Sequence, residues 1–155
     1  MILYLDASSL VKRYVEEPGS EEVTHAIDAA KLVGTVTITR VEISAAMGKA
    51  VRLEIIAREE ASQGLHAFRQ DWADLVQLQV TDLLISRADV LAWEHGLPGY
   101  DAVQLAAASL WQEMLGEGVT LSTFDRRLWA TAREVGLAAH PEDLPNLLLA
   151  WKGQE

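Results

Sequence analysis

Short apolar segments rich in β-forming residues alternate along this chain with longer segments that show helical periodicity. The segments that predict strands are 2–5, 31–36, 75–80, 119–122 and 137–140. Helical segments between them can cross over a sheet, which favours parallel strands joined by right-handed connections. The chain has 155 residues and no linker, repeat or low-complexity tract, so the pattern predicts a single α/β domain over 1–155.

Caps, glycines and prolines indicate where the helices begin and end. The expected helices cover about 8–16, 21–30, 39–53, 58–72, 82–95 and 100–115, then a stretch from Asp125 and a short final helix near Pro141 and Pro145. Ser8-Ser9 and Ser20 are the expected N-caps of the first two helices. The helix over 100–115 is apolar nearly all round and should be largely buried. Segment 75–80 alternates apolar and polar residues, which suits an edge strand.

The composition excludes several classes of protein. There are no cysteines, which excludes a disulfide framework, a zinc–cysteine site and a catalytic thiol. The amino terminus has no basic signal-peptide region and no apolar stretch is long enough to span a bilayer, so we expect a cytoplasmic protein without membrane contact. The net charge of −10 argues against non-specific nucleic-acid binding, and a polyanionic substrate would need local basic residues or metal ions.

Four acidic residues stand just past apolar or β-type segments, at or near the starts of helical patterns. They are Asp6, Glu42, Asp101 and Asp125. Because the ends of neighbouring parallel strands meet at one edge of a sheet, acids far apart in sequence could converge there. Like-charge repulsion disfavours such a pocket unless a cation occupies it. Magnesium and manganese prefer carboxylate oxygens, so a site for one of these ions is the leading hypothesis.

Each acid also has a purely structural interpretation. Thr39 and Glu42 match a capping box. Asp101 and Asp125 could cap or complement helix N-termini, and Asp6 could fix the turn after the first strand. The shared pocket is favoured because Asp6 ends a central strand, where an uncompensated charge is costly, and because Asp101 precedes the most apolar helix.

Other chemistries lack their sequence motifs. The chain has no glycine-rich phosphate loop, no His-Glu-x-x-His and no Gly-x-Ser-x-Gly. The histidines are scattered, and the tryptophans are expected in core and interface positions. Basic residues near the acids could bind phosphate or could be ordinary surface charges; they are Lys12, Arg13, Arg40, Arg126 and Arg127.

Four segments around the acids carry a family resemblance. They are Tyr4-Leu-Asp-Ala-Ser8, Thr39-Arg-Val-Glu42, Tyr100-Asp-Ala102 and Ser122-Thr-Phe-Asp125. With all four acids in order between about residues 1 and 140, the chain resembles the PIN-domain ribonucleases, specifically the VapC-type toxins of bacterial type II toxin–antitoxin modules. One departure is Gln104, where relatives often carry histidine.

The resemblance implies a three-layer PIN-like fold, with a parallel sheet of four or five strands in the order 3-2-1-4-5 between helices. It also implies Mg²⁺ or Mn²⁺ in the acid pocket, RNA cleavage, a homodimer, and a cognate antitoxin that inserts a basic side chain into the pocket. The resulting hypothesis is a metal-dependent endoribonuclease. Its expected catalytic metal ligands are Asp6 and Asp101 directly, with Glu42 and Asp125 directly or through water. Ser8 and Thr123 are expected to orient carboxylates or waters.

Two alternatives remain open at this point. An acid pocket at strand ends also suits a small phosphohydrolase or a receiver-like domain, although Asp6-Ala-Ser8 is not the D-x-D of haloacid-dehalogenase phosphatases. A non-catalytic protein-binding module is the alternative from another class. The helices from about Arg40 to Trp72 could supply a partner groove, because their apolar faces exceed what one small sheet needs to cover.

Overall fold

The computed structural model describes residues 1–154 and contains a five-stranded sheet in which all neighbouring strands are parallel. The strands are β1 (Ile2–Leu5), β2 (Leu32–Val36), β3 (Val76–Leu78), β4 (Val119–Ser122) and β5 (Ala138–His140). Their spatial order, β3-β2-β1-β4-β5, confirms the predicted order 3-2-1-4-5. The short strand β3 lies at an edge, as its alternating pattern predicted.

Helices cover the sheet on both faces. They are α1 (Ala7–Leu10), α2 (Ser20–Ala29), α3 (Thr39–Arg52), α4 (Arg58–Asp71), α5 (Asp82–His95), α6 (Gly99–Leu115), α7 (Arg126–Glu134) and α8 (Leu144–Lys152). Single 3-10 turns over Val11–Arg13 and Trp72–Asp74 follow α1 and α4. No helix within residues 1–154 is long and apolar enough to cross a membrane.

The central strand β1 separates two apolar layers, because successive side chains of a strand point to opposite faces. Leu3 and Leu5 pack in a cluster with buried side chains of α1, α2, α3 and α4. Ile2 and Tyr4 pack in a second cluster with buried side chains of α5, α6 and α7. All four residues of β1 are buried, as expected for a strand covered on both faces.

Two predicted helix starts were wrong. The first helix does not run from Ser8-Ser9 to Glu16: α1 ends at Leu10, and its N-cap is Asp6, whose Oδ1 accepts a hydrogen bond from the Ser9 amide at 2.9 Å. The chain then tightens into the 3-10 turn, which lets Val15 as well as Leu10 reach the core. The second helix has Gly19 as its N-cap. Ser20 is its first residue, and the Ser20 hydroxyl donates back to the Val15 carbonyl at 3.1 Å.

The helix over 100–115 is largely buried, as predicted. Helix α6 packs along α5 and against β2 and β4, and its buried residues run from Ala102 to Trp111. Its last turn is exposed, with Met114 69% accessible. Because α6 begins at Gly99, this packing places Asp101 in its first turn, beside the ends of the strands.

Candidate active site

Asp6 lies at the carboxyl end of the central strand and is 4% exposed. Its Oδ1 accepts hydrogen bonds from Ser8 Oγ at 2.8 Å and from the Ser9 amide at 2.9 Å, and its Oδ2 accepts one from Thr123 Oγ1 at 2.6 Å. Burial raises the pKa of Asp6 to about 6, the hydrogen bonds oppose this rise, and repulsion from Asp101 adds to it. The carboxylate is therefore held in one orientation by donors that follow two neighbouring strands.

Glu42 lies in the first turn of α3 and is half-buried. Its Oε1 accepts a hydrogen bond from Gln104 Nε2 at 2.9 Å. Burial raises the pKa of Glu42, the Gln104 hydrogen bond opposes the rise, and repulsion from Asp101 adds to it. The capping-box interpretation was wrong, because Ile38 is the N-cap and the Thr39 hydroxyl is bonded to Gln104.

Asp101 and Asp125 begin helices in different ways. Asp101 lies in the first turn of α6 without capping it, since Pro98 is the N-cap. Burial raises the pKa of Asp101, repulsion from Asp125 adds to the rise, and the Arg127 guanidinium opposes it. Asp125 is the N-cap of α7, and its Oδ1 accepts from the Leu128 amide at 2.8 Å. Asp125 therefore has the predicted structural role and also lies beside Asp101.

Pairwise repulsion centred on Asp101 indicates that the four acids lie near one another, at the carboxyl ends of β1, β2 and β4 and the start of α6. Asp101 raises the pKa of both Asp6 and Glu42, and Asp125 raises that of Asp101. Among residues 1–154, no three His, Asp or Glu side chains are arranged so that together they could hold a metal ion. The acid cluster offers oxygen donors, and magnesium binds through one or two carboxylates while keeping several waters. Its donor chemistry therefore fits Mg²⁺ or Mn²⁺, and the ligation itself stays a prediction.

The basic residues near the acids have different surroundings. The Arg40 guanidinium lies over the Trp72 ring at 5.7 Å, and Lys12 forms a 2.9 Å ion pair with Glu17. Arg127 acts on Asp101, and its Nη2 would lie 2.8 Å from a Cβ at Gly96, where φ is +63°. A glycine at the end of α5 thus leaves room for the Arg127 guanidinium beside the acid cluster.

Sequence reasoning missed the polar side chains that lie beneath the acids. Gln104 was noted only as a departure from relatives, and Tyr4 only as a strand residue, yet the Tyr4 hydroxyl donates to Gln104 Oε1 at 2.5 Å. The available signal was an amide side chain in the middle of an otherwise apolar helix, because a buried polar group needs hydrogen-bond partners.

Comparison with known proteins identifies the family. No protein-family model matches the chain. Ribonuclease VapC45 of Mycobacterium tuberculosis strain CDC 1551 is 28% identical over 144 residues, which cover 92% of this chain and 97% of the relative. Ribonuclease VapC3 of Pyrobaculum aerophilum is 31% identical over 130 residues, which cover 83% of this chain and 92% of the relative. This chain belongs to the VapC ribonuclease family.

Solved structures share the fold of this VapC-family chain. A toxin–antitoxin complex from Klebsiella pneumoniae matches with a TM-score of 0.60 and 19% identity, covering 84% of this chain and 91% of that one. VapBC2 from Rickettsia felis, bound to a DNA fragment from its promoter, matches with a TM-score of 0.61 and 15% identity, covering 90% and 98%. At these identities the likeness concerns the fold, and it agrees with the α/β architecture described above.

Proposed function

We propose that this VapC-family protein is a metal-dependent endoribonuclease, the toxin of a toxin–antitoxin pair that acts in the cytoplasm. The observation that carries the proposal is the convergence of Asp6, Glu42, Asp101 and Asp125 at one edge of the sheet. Repulsion links Asp101 to each of the other three acids. A cluster of like charges around the buried Asp6 is stabilised by a cation, and the matched relatives are named ribonucleases.

The acids have different capacities to bind Mg²⁺ or Mn²⁺. Asp6 Oδ1 already accepts two hydrogen bonds, whereas Oδ2 accepts one and keeps a lone pair. We assign Asp6 and Asp101 as direct ligands, with Glu42 and Asp125 binding directly or through water. When bound, the ion lowers the pKa of a water and neutralises charge on the scissile phosphate.

Neighbouring side chains orient this site and receive the substrate. Ser8 and Thr123 donate to Asp6 and hold its carboxylate in place. The Arg127 guanidinium, beside Asp101, is placed to contact a phosphate oxygen of RNA that approaches the acids. Such a cation matters in a chain of net charge −10, which otherwise repels a polyanion.

Asp6→Asn tests the proposed activity. The amide keeps an acceptor for the Ser9 amide and the size of the side chain, so the fold should be retained. We expect Mn²⁺-dependent cleavage of a mixed RNA pool to fall by at least about 100-fold, since an acid required for the chemistry is removed. Asp82→Asn is the matched control, because Asp82 also follows a strand but is exposed in the first turn of α5. Full activity of Asp6→Asn would contradict the proposal.

A groove between α3 and α4 is the proposed antitoxin site. It has a volume of about 460 Å³, is lined by apolar side chains such as Met47, Val51 and Leu65, and includes Arg52 and Arg58. This chemistry suits an amphipathic antitoxin segment with apolar side chains and flanking acids, and a basic antitoxin side chain would enter the acid cluster.

Two tryptophan variants on one helix test the groove. Ser62→Trp fills the groove, whereas Gln63→Trp lies on the same exposed part of α4 outside it. In co-expression with the antitoxin, Ser62→Trp should retain measurable RNA cleavage and Gln63→Trp should remain inhibited. Equal inhibition of both variants would place the antitoxin elsewhere.

A second copy of this chain is the proposed partner for the exposed face of α5. Leu83, Val90 and Trp93 lie on that face, and they are 66%, 48% and 88% exposed. Leu83 also lines a cavity of about 520 Å³ together with Leu110 and Met114 of α6. Apolar surface of this extent is typical of a protein interface, and we infer a homodimer.

A further inference from the structure

A buried hydrogen-bond network lies beneath the acid cluster and ends at Glu42. Gln104 is 1% exposed in the middle of α6. Its Oε1 accepts from the Tyr4 hydroxyl at 2.5 Å, and its Nε2 donates to Thr39 Oγ1 and Glu42 Oε1, both at 2.9 Å. Both amide hydrogens and the amide oxygen of Gln104 therefore have partners, although the surrounding helix is apolar.

The direction of each hydrogen bond fixes which end of Gln104 faces Glu42. The Val36 amide donates to the Tyr4 hydroxyl oxygen at 3.3 Å, so the single proton of that hydroxyl is free to be donated onward. Its acceptor is the carbonyl oxygen of Gln104, which turns the NH₂ group toward Glu42. Rotating the amide by 180° would set its carbonyl oxygen against the Glu42 carboxylate, which offers no proton when ionised.

Two effects favour a Glu42 rotamer outside the acid cluster if the hydrogen bond from Gln104 is lost. A glutamate side chain has several rotatable bonds, and fixing it costs conformational entropy. Repulsion from Asp101 also favours a rotamer that points the half-buried Glu42 carboxylate toward water. The hydrogen bond from Gln104 opposes both effects, and Gln104 is itself held by Tyr4 of the central strand.

We propose that Gln104 is a positioning residue that holds the Glu42 carboxylate in the acid cluster and so strengthens divalent-cation binding there. The inference rests on the proposed function, because it assigns Glu42 to the metal site. Partners that orient metal-binding side chains typically affect metal affinity 10- to 100-fold when they are removed. We expect an effect near the lower end, since Glu42 is one of four acids.

The test is a double-mutant cycle read by calorimetric titration of Mn²⁺ into the full-length protein. Gln104→Met keeps the length of the side chain and removes its donors, and Glu42→Ala removes the acceptor. Gln104→Met should weaken Mn²⁺ binding about tenfold in the wild-type background and by less than about twofold in the Glu42→Ala background. Equal weakening in both backgrounds would overturn the proposal, because the effect would then not pass through Glu42.

A purely structural role for Gln104 predicts a different result. Gln104→Met would then lower the unfolding free energy, while the folded protein would bind Mn²⁺ as tightly as the wild type does. Tyr4→Phe supplies a second variant if Gln104→Met does not fold, because it keeps the shape of the core and removes the proton that orients the amide. Weaker Mn²⁺ binding by Tyr4→Phe supports the positioning role, and unchanged binding overturns it.

Failure of this inference is distinguishable from failure of the proposed function. A wild-type protein that neither binds Mn²⁺ nor cleaves RNA contradicts both proposals. A wild-type protein that does both, combined with additive effects of Gln104→Met and Glu42→Ala, contradicts the positioning role alone.

Discussion

At the scale of single residues, Asp6 combines its structural role with the proposed metal-binding role in one carboxylate. Its Oδ1 caps α1, and its Oδ2 is bonded to Thr123, which follows β4. The sequence suggested a structural role at the turn or a role in the acid pocket as alternatives. The two roles are compatible, because the two carboxylate oxygens have different partners. Holding this charge at the end of a buried strand has an energetic cost, which depends on pH.

The free energy of unfolding of the metal-free protein should fall as the pH rises from about 4 to about 6. Burial raises the pKa of Asp6 from 3.8 to about 6, so in this range the folded protein binds a proton that the unfolded chain has released. The loss is complete above that range and amounts to about 3 kcal/mol for a shift of this size. Raised pKa values of Glu42 and Asp101 act in the same direction.

Asp6→Asn isolates this contribution, because its amide does not titrate. Urea unfolding in EDTA at pH 5 and pH 7.5 should show the variant gaining stability relative to wild type at the higher pH. Mn²⁺ should remove much of that advantage by stabilising the wild-type protein. A difference between the two proteins that is the same at both pH values would contradict the raised pKa of Asp6.

At the scale of secondary structure, α4 packs directly on the backbone of the turn after α1. Helix α4 continues unbroken through Gly64, and a Cβ at that position would lie 2.5 Å from the Tyr14 carbonyl oxygen. A glycine inside a helix costs roughly 1 kcal/mol relative to alanine. Here the cost is offset because glycine lets α4 pack against the Tyr14 backbone. This packing holds the segment that follows Asp6 in place.

Gly64→Ala should therefore destabilise the protein by about 1–3 kcal/mol, as overpacking does in well-packed interiors. Gly48→Ala is the matched control, because its added Cβ would meet the flexible end of Arg52 at 3.4 Å and the backbone there is already helical. We expect Gly48→Ala to be neutral or stabilising by up to about 1 kcal/mol. Urea denaturation measures both, and equal effects would contradict the close contact at Gly64.

At the scale of the whole molecule, charge and apolar surface are unevenly distributed. The acids converge at one edge of the sheet, whereas α5 carries an exposed apolar stripe of Leu83, Val90 and Trp93. Covering this stripe with a second copy would remove it from water without blocking the groove between α3 and α4, which different helices line. The proposed dimer and the proposed antitoxin complex are therefore compatible.

Trp93→Glu should convert the dimer to a monomer, because it would place a charge in the apolar interface. Light scattering coupled to size-exclusion chromatography measures the change in mass. Leu149→Glu is the control: Leu149 is 64% exposed on α8, so the same chemical change falls on another surface. A wild-type monomer, or a dimer that persists in Trp93→Glu, would contradict the proposed interface.

Across these scales, the sequence predicted what depends on local pattern and did not predict what depends on distant partners. Apolar strands and helical periodicity were sufficient for the alternating strands and helices of a parallel sheet, because each pattern implies its own burial. The strand order 3-2-1-4-5 was predicted from the family resemblance. Thr39 and Glu42 match the capping-box motif in the local sequence. In the structure, however, both side chains accept hydrogen bonds from Gln104 of α6, and neither caps the helix. The end of α1 at Leu10 likewise depends on tertiary packing of the turn that follows.

The pairing of β1 with β4 has a consequence for translation. Ile2 lies opposite Leu32 of β2 on one side and opposite Val119 of β4 on the other, so the second neighbour of the central strand comes from the far part of the chain. A ribosome making this protein therefore carries no complete acid cluster until residues beyond Asp125 have emerged from the exit tunnel. Nascent chains and prematurely terminated products that lack β4 are expected to lack the proposed RNA-cleaving activity, so this activity would arise only when synthesis is nearly finished.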